Sequence, residues 1–166
     1  MTRAWIGLGA NLGQPSAQLE GALDALRGDP RVTELTASGF HRTVPVGGPR
    51  DQDDYCNAVA RLEFDGSARE LLDLLQVLES RAGRVREVPD GPRTLDLDLL
   101  IFGGVRTEDP DLTLPHPRLE ERGFVLVPMA EIDPELLLPN SGLPVSMRAQ
   151  ELSQGVAPWG GAMTTS

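Results

Sequence analysis

The spacing of apolar and polar residues predicts that strands and helices alternate in the first two thirds of the chain. Residues 4–8 (AWIGL) have the composition of a buried strand, and the GANLGQP that follows is typical of a turn. From about Ser16, apolar side chains recur every three or four residues as far as the sequence GDP, which predicts an amphipathic helix. Residues 32–41 again resemble a strand, and a long loop rich in Gly, Pro and Asp follows them.

A second strand–helix pair shows a clearer pattern. Residues 55–64 (YCNAVARLEF) alternate between core-facing and outward-facing positions, so that Tyr55 and Asn57 share one face of the predicted strand. Ser67 and Glu70 have the spacing of a capping box, which predicts the start of a helix. A regular stripe of leucines continues this helix as far as the arginine-rich segment that follows.

A final strand over residues 95–102 completes the order β-α-β-β-α-β. This order is that of the ferredoxin-like fold, an antiparallel sheet with helices on one face, so the predicted class is α+β. After a turn-rich stretch, residues 118–132 predict one or two more helices, with Pro128 leaving their bounds open. We expect one domain over residues 1–166, with additional C-terminal helices or strands and a loosely ordered tail from about residue 153.

Composition narrows the possible functions. The chain has 166 residues, 40% of them hydrophobic and 24% charged, which is typical of a globular domain. No apolar run approaches the roughly 18 residues that a membrane span requires. We therefore expect a cytoplasmic protein without a secretory signal, and the presence of only one cysteine agrees with this. The net charge of −10 argues against nucleic acid as a partner.

Basic residues are concentrated in one segment. All fifteen are arginines, and Arg81, Arg84, Arg86 and Arg93 lie close together. This segment could bind an anion, although a solvated helix end in an arginine-rich protein would have the same composition. The lack of lysine excludes a Walker A phosphate loop and a lysine Schiff base.

The stretch GPRTLDLDLL, residues 91–100, contains the most informative pair of residues. Side chains two apart in a strand share a face about 7 Å apart, so Asp96 and Asp98 project together while the leucines face the core. Two such carboxylates repel one another unless they face water, one is protonated, or a cation lies between them. A solvated strand face is the simpler explanation, but the nearby arginines favour a site for Mg²⁺ and phosphate.

Several segments together resemble the 6-hydroxymethyl-7,8-dihydropterin pyrophosphokinase family. They are GLGANLG (7–13), FHRTVPVGG (40–48), DYCNAV (54–59), QVLESRAGRVR (76–86), GPRTLDLDLLIFG (91–103) and LTLPHPRLEERGFVLVPMAEIDPEL (112–136). The resemblance implies transfer of pyrophosphate from ATP to the hydroxymethyl group of a reduced pterin, with release of AMP. It also implies ATP and 6-hydroxymethyl-7,8-dihydropterin as the ligands, and we expect a monomer.

The resemblance also implies roles for individual residues. Two Mg²⁺ ions would be held by Asp96 and Asp98. The catalytic residues would be Arg84, Arg86, Arg93, Asp96 and Asp98, with Arg84 and Arg86 on a loop that closes over the site. The residues that bind ATP would be Gln76, Glu79, Arg84, Arg93, Leu99, Thr113, His116 and Arg122. The residues that bind the pterin would be Thr43, Val44, Val46, Tyr55, Asn57 and Phe124, with Tyr55 and Phe124 stacking on the ring.

Structural explanations exist for several of these residues. His116 could be a turn histidine between two prolines, Phe124 a core residue, and Gln76 and Glu79 part of a solvated helix stripe. The sequence also departs from the family pattern: Asp90 replaces a tryptophan found in some members, Val44 replaces a frequent proline, and an extra glycine occurs at 47–48. These departures bear on how the loop closes.

Three other functions remain open from the residues. A dinucleotide-binding fold is suggested by GLGANLG, but Leu12 occupies the position of the third glycine. A ferredoxin-like sensor of small molecules would need neither paired acids nor clustered arginines. A nucleotidyltransferase would use the same metal chemistry to attack the α-phosphorus, and would release pyrophosphate rather than AMP.

Overall fold

A six-stranded antiparallel sheet lies at the centre of the fold. The structure is a computed structural model that describes residues 1–11, 13–43, 54–82 and 95–159. Its elements, in chain order, are β1 (Thr2–Ala10), α1 (Pro15–Gly28), β2 (Val32–Ala37), β3 (His41–Thr43), β4 (Tyr55–Phe64), α2 (Ala68–Arg81), β5 (Asp96–Phe102), β6 (Thr107–Asp109), β7 (Leu112–Leu114), a 3-10 turn (Leu119–Glu121), α3 (Gly123–Ile132), α4 (Val145–Glu151) and β8 (Val156–Pro158).

The strand order confirms the predicted topology. The sheet runs β5-β1-β4-β3-β8, with β2 also pairing with β4, and its pairings are antiparallel. Strand β1 is therefore flanked by β4 and β5, as the ferredoxin-like order requires. Strand β5, which carries Asp96 and Asp98, forms one edge of the sheet.

Each face of the sheet is covered by a pair of helices. Alternate residues of β1, from Ala4 to Ala10, pack against the leucines of α1 and α2 in one core cluster. Trp5, which points the other way, packs with α3 and α4 in a second cluster. Burying a leucine-sized side chain stabilises the fold by about 1.5–3 kcal/mol. The molecule thus has three layers: α1 and α2, the sheet, and then α3 and α4.

The capping box predicted for α2 is present. Ser67 Oγ accepts the Glu70 N–H at 3.1 Å, and Glu70 Oε1 accepts the Ser67 N–H at 2.9 Å. These two bonds pair backbone N–H groups at the helix start that would otherwise lack partners. They also lower the pKa of Glu70.

Four local predictions differ from the structure. Strand β1 extends through the predicted turn residues Gly9 and Ala10, and the single strand predicted over 32–41 is divided into β2 and β3. The stretch predicted as turns contains the small hairpin of β6 and β7. Finally, the prediction of a loosely ordered tail from about residue 153 is wrong for β8. This strand pairs with β3, and Trp159, which follows it, packs against the first core cluster. Residues 160–166 lie outside the described part.

A β-bulge interrupts the pairing of β5 with β1. Ile6 pairs with Leu99 whereas Trp5 pairs with Ile101, so Leu100 is an extra residue in β5. Before the bulge, Leu97 and Leu99 belong to the first core cluster; at the bulge, Leu100 belongs to the second. The backbone carbonyl of Leu100 accepts the His116 N–H at 2.8 Å, which joins the segment after β7 to this edge of the sheet.

Within the described ranges, no helix has the length and apolarity that a membrane crossing requires.

Candidate active site

One row of residues crosses the second face of the sheet and contains the predicted metal and pterin positions. Asp96 on β5 pairs with Gly9 on β1, Gly9 pairs with Asn57 on β4, and Asn57 pairs with His41 on β3. Directly paired residues of antiparallel strands project to the same face. The structure therefore places Asp96 and Asn57 on either side of a glycine.

Gly9 is required by the close approach of Asn57. A Cβ atom at position 9 would lie 2.8 Å from Asn57 Oδ1, which is nearer than real Cβ contacts. The Asn57 side chain is fixed, because it is buried and its Nδ2 donates to Thr43 Oγ1 at 2.6 Å. The amide of Asn57 therefore extends over the backbone of the central strand, in the direction of Asp96.

The two aspartates occupy the positions that strand alternation predicts. Asp96 and Asp98 are partly exposed, while Leu97 and Leu99 are buried on the other face. Asp98 pairs with Gly7, so both acids lie opposite glycines of β1. Two half-exposed carboxylates form a donor set that suits Mg²⁺, which keeps several waters and shares its coordination with phosphate. No group of three His, Cys, Asp or Glu residues that could hold a metal occurs in the described ranges.

His116 is a partly buried, neutral imidazole within the electrostatic influence of Asp96. Burial lowers its pKa to about 4, with the positive charges of Arg122 and Arg118 acting in the same direction and Asp96 opposing them. Its Nδ1 accepts the Arg118 N–H at 3.2 Å, so the proton of the neutral ring is on Nε2. The Nε2–H group is therefore the hydrogen-bond donor that His116 can offer to a ligand.

Arg122 joins the aspartates to the start of α3. Its Nη1 lies 3.6 Å from Asp98 Oδ2, and its guanidinium carbon lies 5.5 Å from the centre of the Phe124 ring. Phe124 is partly buried against the second core cluster. The start of α3 and the Arg122 that precedes it thus bring an aromatic ring and a cation to the face that carries the two acids.

Three of the predicted pterin-binding residues, Thr43, Tyr55 and Asn57, lie on the paired strands β3 and β4. Tyr55 of β4 pairs with Thr43 of β3. Tyr55 lies on the same face of β4 as Asn57, and Thr43 lies on the same face of β3 as His41. Tyr55 is partly exposed, whereas Thr43 and Asn57 are buried. The buried polar pair and the neighbouring phenol form a surface suited to the edge and face of a flat heterocycle.

Other predicted nucleotide residues are less closely grouped. Gln76 is exposed on α2, in a shallow groove with Asp73 and Val77. Glu79 is instead buried, and its Oε2 accepts the Leu97 N–H at 2.7 Å. Leu99 packs its side chain into the first core cluster, so its backbone is the part available to a nucleotide. Thr113 lies on β7 and donates its hydroxyl to the Asp109 carbonyl at 3.0 Å.

The remaining predicted residues lie outside the described part of the chain. They are Val44, Val46, Arg84, Arg86 and Arg93. Their roles stay predictions, as do those of the residues whose positions are given above.

Two features of this face were not predicted from the sequence. One is the requirement for glycine at position 9, and the other is the contact between β3 and α3. His41 is buried, and its Nε2 lies 2.6 Å from Glu131 Oε2. Glu131 Oε1 also accepts the Gly39 N–H at 2.9 Å. Helix α3 is therefore attached near Asp98 at its start and near His41 at its end.

Comparison with known proteins identifies a family for most of the chain. Residues 5–134 match the family model for 7,8-dihydro-6-hydroxymethylpterin-pyrophosphokinase. Two similar relatives are both named 2-amino-4-hydroxy-6-hydroxymethyldihydropteridine pyrophosphokinase. The protein from Haemophilus influenzae is 45% identical over 85% of this chain and 88% of its own length. The protein from Pseudomonas aeruginosa is 41% identical over 83% of this chain and 85% of its own length.

Solved structures with low sequence identity share the fold. A Plasmodium falciparum HPPK-DHPS triple mutant superposes with a TM-score of 0.71 at 12% identity. A crystal structure of HPPK-DHPS in complex with substrates superposes with a TM-score of 0.69 at 10% identity. Each match covers 90% of this chain and 43% of the solved chain, so the likeness concerns less than half of those larger proteins.

Proposed function

Because the chain belongs to the 7,8-dihydro-6-hydroxymethylpterin-pyrophosphokinase family, we infer that it transfers pyrophosphate from ATP to 6-hydroxymethyl-7,8-dihydropterin in folate biosynthesis. The hydroxymethyl oxygen of the pterin attacks the β-phosphorus of ATP and loses its proton. The bond from that phosphorus to the α-phosphate oxygen breaks, and AMP leaves. The observation that supports this site best is the row that places Asp96 and Asn57 on either side of Gly9.

We propose that Asp96 and Asp98 bind two Mg²⁺ ions together with ATP. Bound Mg²⁺ would neutralise charge on the phosphates during the transfer. The support comes from the two carboxylates, which share one face and remain partly exposed at the edge of the sheet. Arg122, 3.6 Å from Asp98, would hold that carboxylate in place and add positive charge near the phosphates.

The other side chains have roles that follow from their surroundings. His116 would donate its Nε2–H to a phosphate oxygen, since its lowered pKa keeps the ring neutral at pH 7. Asn57 would bind the polar edge of the pterin, and Tyr55 and Phe124 would stack on its faces. Arg84, Arg86 and Arg93 would neutralise phosphate charge. Because the reaction needs groups brought together rather than a protein nucleophile, positioning and electrostatics supply most of the rate.

We further propose that the protein is a cytoplasmic monomer whose ligands are ATP and the pterin. The net charge of −10 supports the exclusion of nucleic acid, since a phosphate backbone requires a basic face.

Product analysis tests the proposed reaction. Incubation with ATP, Mg²⁺ and 6-hydroxymethyl-7,8-dihydropterin should produce AMP and the pterin diphosphate in equal amounts. Release of free pyrophosphate would indicate a nucleotidyltransferase, and lack of any product would favour a binding protein without catalysis.

Substitution of the aspartates tests the metal site. Asp96→Asn and Asp98→Asn should each retain less than about a tenth of the AMP-forming activity, a loss of at least 1.4 kcal/mol in transition-state stabilisation. Both should keep the unfolding midpoint of the parent within a few degrees, because the two side chains are not part of a core cluster. Asp24→Asn is the control, since that carboxylate is 80% exposed on α1 and far from the sheet face. Higher residual activity would contradict the metal role.

A further inference from the structure

Glu79 is a buried acid that contacts the backbone of the strand carrying both aspartates. It lies near the end of α2 with only 5% of its surface exposed, and its Oε2 accepts the Leu97 N–H at 2.7 Å. Burying a carboxylate is costly unless it forms strong hydrogen bonds. The bond from the Leu97 N–H gives one acceptor of this buried acid a partner, and it pairs a backbone donor that β1 does not use.

The position of Leu97 gives this hydrogen bond its significance. Leu97 lies between Asp96 and Asp98, whose partners across the strand pair are Gly9 and Gly7 of β1. Alternate N–H groups of an edge strand point away from its neighbour, and the Leu97 N–H is one of these. β5 is thus held on its inner side by β1 and on its outer side by Glu79.

We propose that Glu79 is a positioning residue for pyrophosphoryl transfer, which fixes the backbone of β5 so that Asp96 and Asp98 keep a constant separation. This inference rests on the proposed function of the two aspartates. It differs from the direct contact with ATP that the family resemblance implies for Glu79. A side chain that is 5% exposed, with one oxygen bound to the backbone, has little surface to present to a nucleotide.

Three substitutions at this position separate the two roles. Glu79→Gln keeps the side-chain length and an oxygen that can accept the Leu97 N–H. Glu79→Ala removes the acceptor, and Glu79→Asp keeps the carboxyl group on a side chain that is one methylene shorter. Asp24→Asn is the control, because Asp24 is an exposed acid on α1, the other helix that packs against the first core cluster.

The measurements are the Mg²⁺ concentration for half-maximal AMP formation and the pterin Kd without ATP. Glu79→Ala should raise the Mg²⁺ requirement about 10- to 100-fold, as does loss of an outer-shell partner at other metal sites. Its pterin Kd should stay within about twofold of the parent, since the described residues proposed to bind the pterin lie on β3, β4 and α3 rather than on β5. Glu79→Gln should restore the Mg²⁺ requirement to within about threefold, and Asp24→Asn should not change it.

Two results would overturn the proposal. One is an unchanged Mg²⁺ requirement in Glu79→Ala together with weaker binding of ATP measured without divalent cations, which would indicate a direct nucleotide contact. The other is a Gln variant as impaired as the Ala variant. If Glu79→Ala does not fold, Glu79→Asp replaces it, with the same rise in Mg²⁺ requirement expected. Failure of the parent protein to form AMP would refute the proposed function instead.

Discussion

The close approach of Asn57 to Gly9 leads to a quantitative prediction for Gly9→Ala. The added methyl carbon would lie 2.8 Å from Asn57 Oδ1. Asn57 cannot turn away freely, because it is buried and its Nδ2 donates to Thr43 Oγ1 at 2.6 Å. The methyl group must therefore either strain the strand or break this hydrogen bond.

Both outcomes have known energetic costs. Overpacking a buried site typically costs about 1–3 kcal/mol, and loss of a buried hydrogen bond costs about 0.5–1.5 kcal/mol. We expect Gly9→Ala to lower the free energy of unfolding by about 1–3 kcal/mol. Displacement of the Asn57 amide should also weaken pterin binding about tenfold, which corresponds to about 1.4 kcal/mol.

The neighbouring glycine supplies a control on the same strand and the same face. A Cβ at Gly7 would lie 3.5 Å from Leu100 Cδ2, an ordinary van der Waals contact. Because alanine is favoured over glycine inside a strand by roughly 0.5–1 kcal/mol, Gly7→Ala should leave the stability unchanged or raise it. Urea unfolding measures the free energies, and calorimetric titration without ATP measures the pterin Kd.

A double-mutant cycle provides the decisive comparison. In an Asn57→Ala background the atom that clashes is gone, so Gly9→Ala should no longer destabilise the protein. An equal cost of Gly9→Ala in both backgrounds would refute the reasoning, as would a stability equal to that of Gly7→Ala.

Two further predictions concern the residues around the aspartates. The ring protons of His116 should titrate with a midpoint at about pH 4, because burial and two arginines lower its pKa from the ordinary 6.5. Between pH 6.5 and pH 4 the unfolded chain then binds more protons at this residue than the folded chain does. The free energy of unfolding should therefore fall as the pH drops through this range, and it should fall by less in His116→Gln. A midpoint near 6.5 would show that the surroundings of His116 do not keep its ring neutral. Phe124→Ala should weaken pterin binding far more than ATP binding in separate titrations, and equal losses would argue against stacking.

Local patterns in the sequence predicted the features that depend on neighbouring residues. The alternation of 55–64 and of the two aspartates follows from the geometry of a strand, and the capping box of α2 is a contact between Ser67 and Glu70. The order of these elements was enough to predict the ferredoxin-like topology. Such features need no information about distant parts of the chain.

The differences arise where distant residues meet. Gly9 belongs to a stretch whose composition predicted a turn. It is glycine because the Asn57 side chain on the adjacent strand leaves no room for a Cβ atom, and this contact is not visible in the local sequence. In the sequence, Glu79 and Gln76 are both polar residues of one helix and could not be distinguished. In the structure Gln76 is exposed, whereas Glu79 is buried and accepts the outward N–H of Leu97 on a distant strand. Strand β8 looked too polar to be ordered, yet it pairs with β3, and Arg42 lies 5.3 Å from the centre of the Trp159 ring.

The extra residue in β5 has a consequence for how this strand tolerates changes in length. Ahead of the bulge, Asp96 and Asp98 project to the second face of the sheet. Beyond it, Phe102 returns to the first core cluster, where the centre of its ring lies 6.5 Å from that of Phe64. Deleting a single residue between Asp98 and Phe102 would therefore send either the acids or the aromatic anchor to the wrong side of the sheet. Natural or engineered variants should accept substitutions along this stretch far more readily than insertions or deletions.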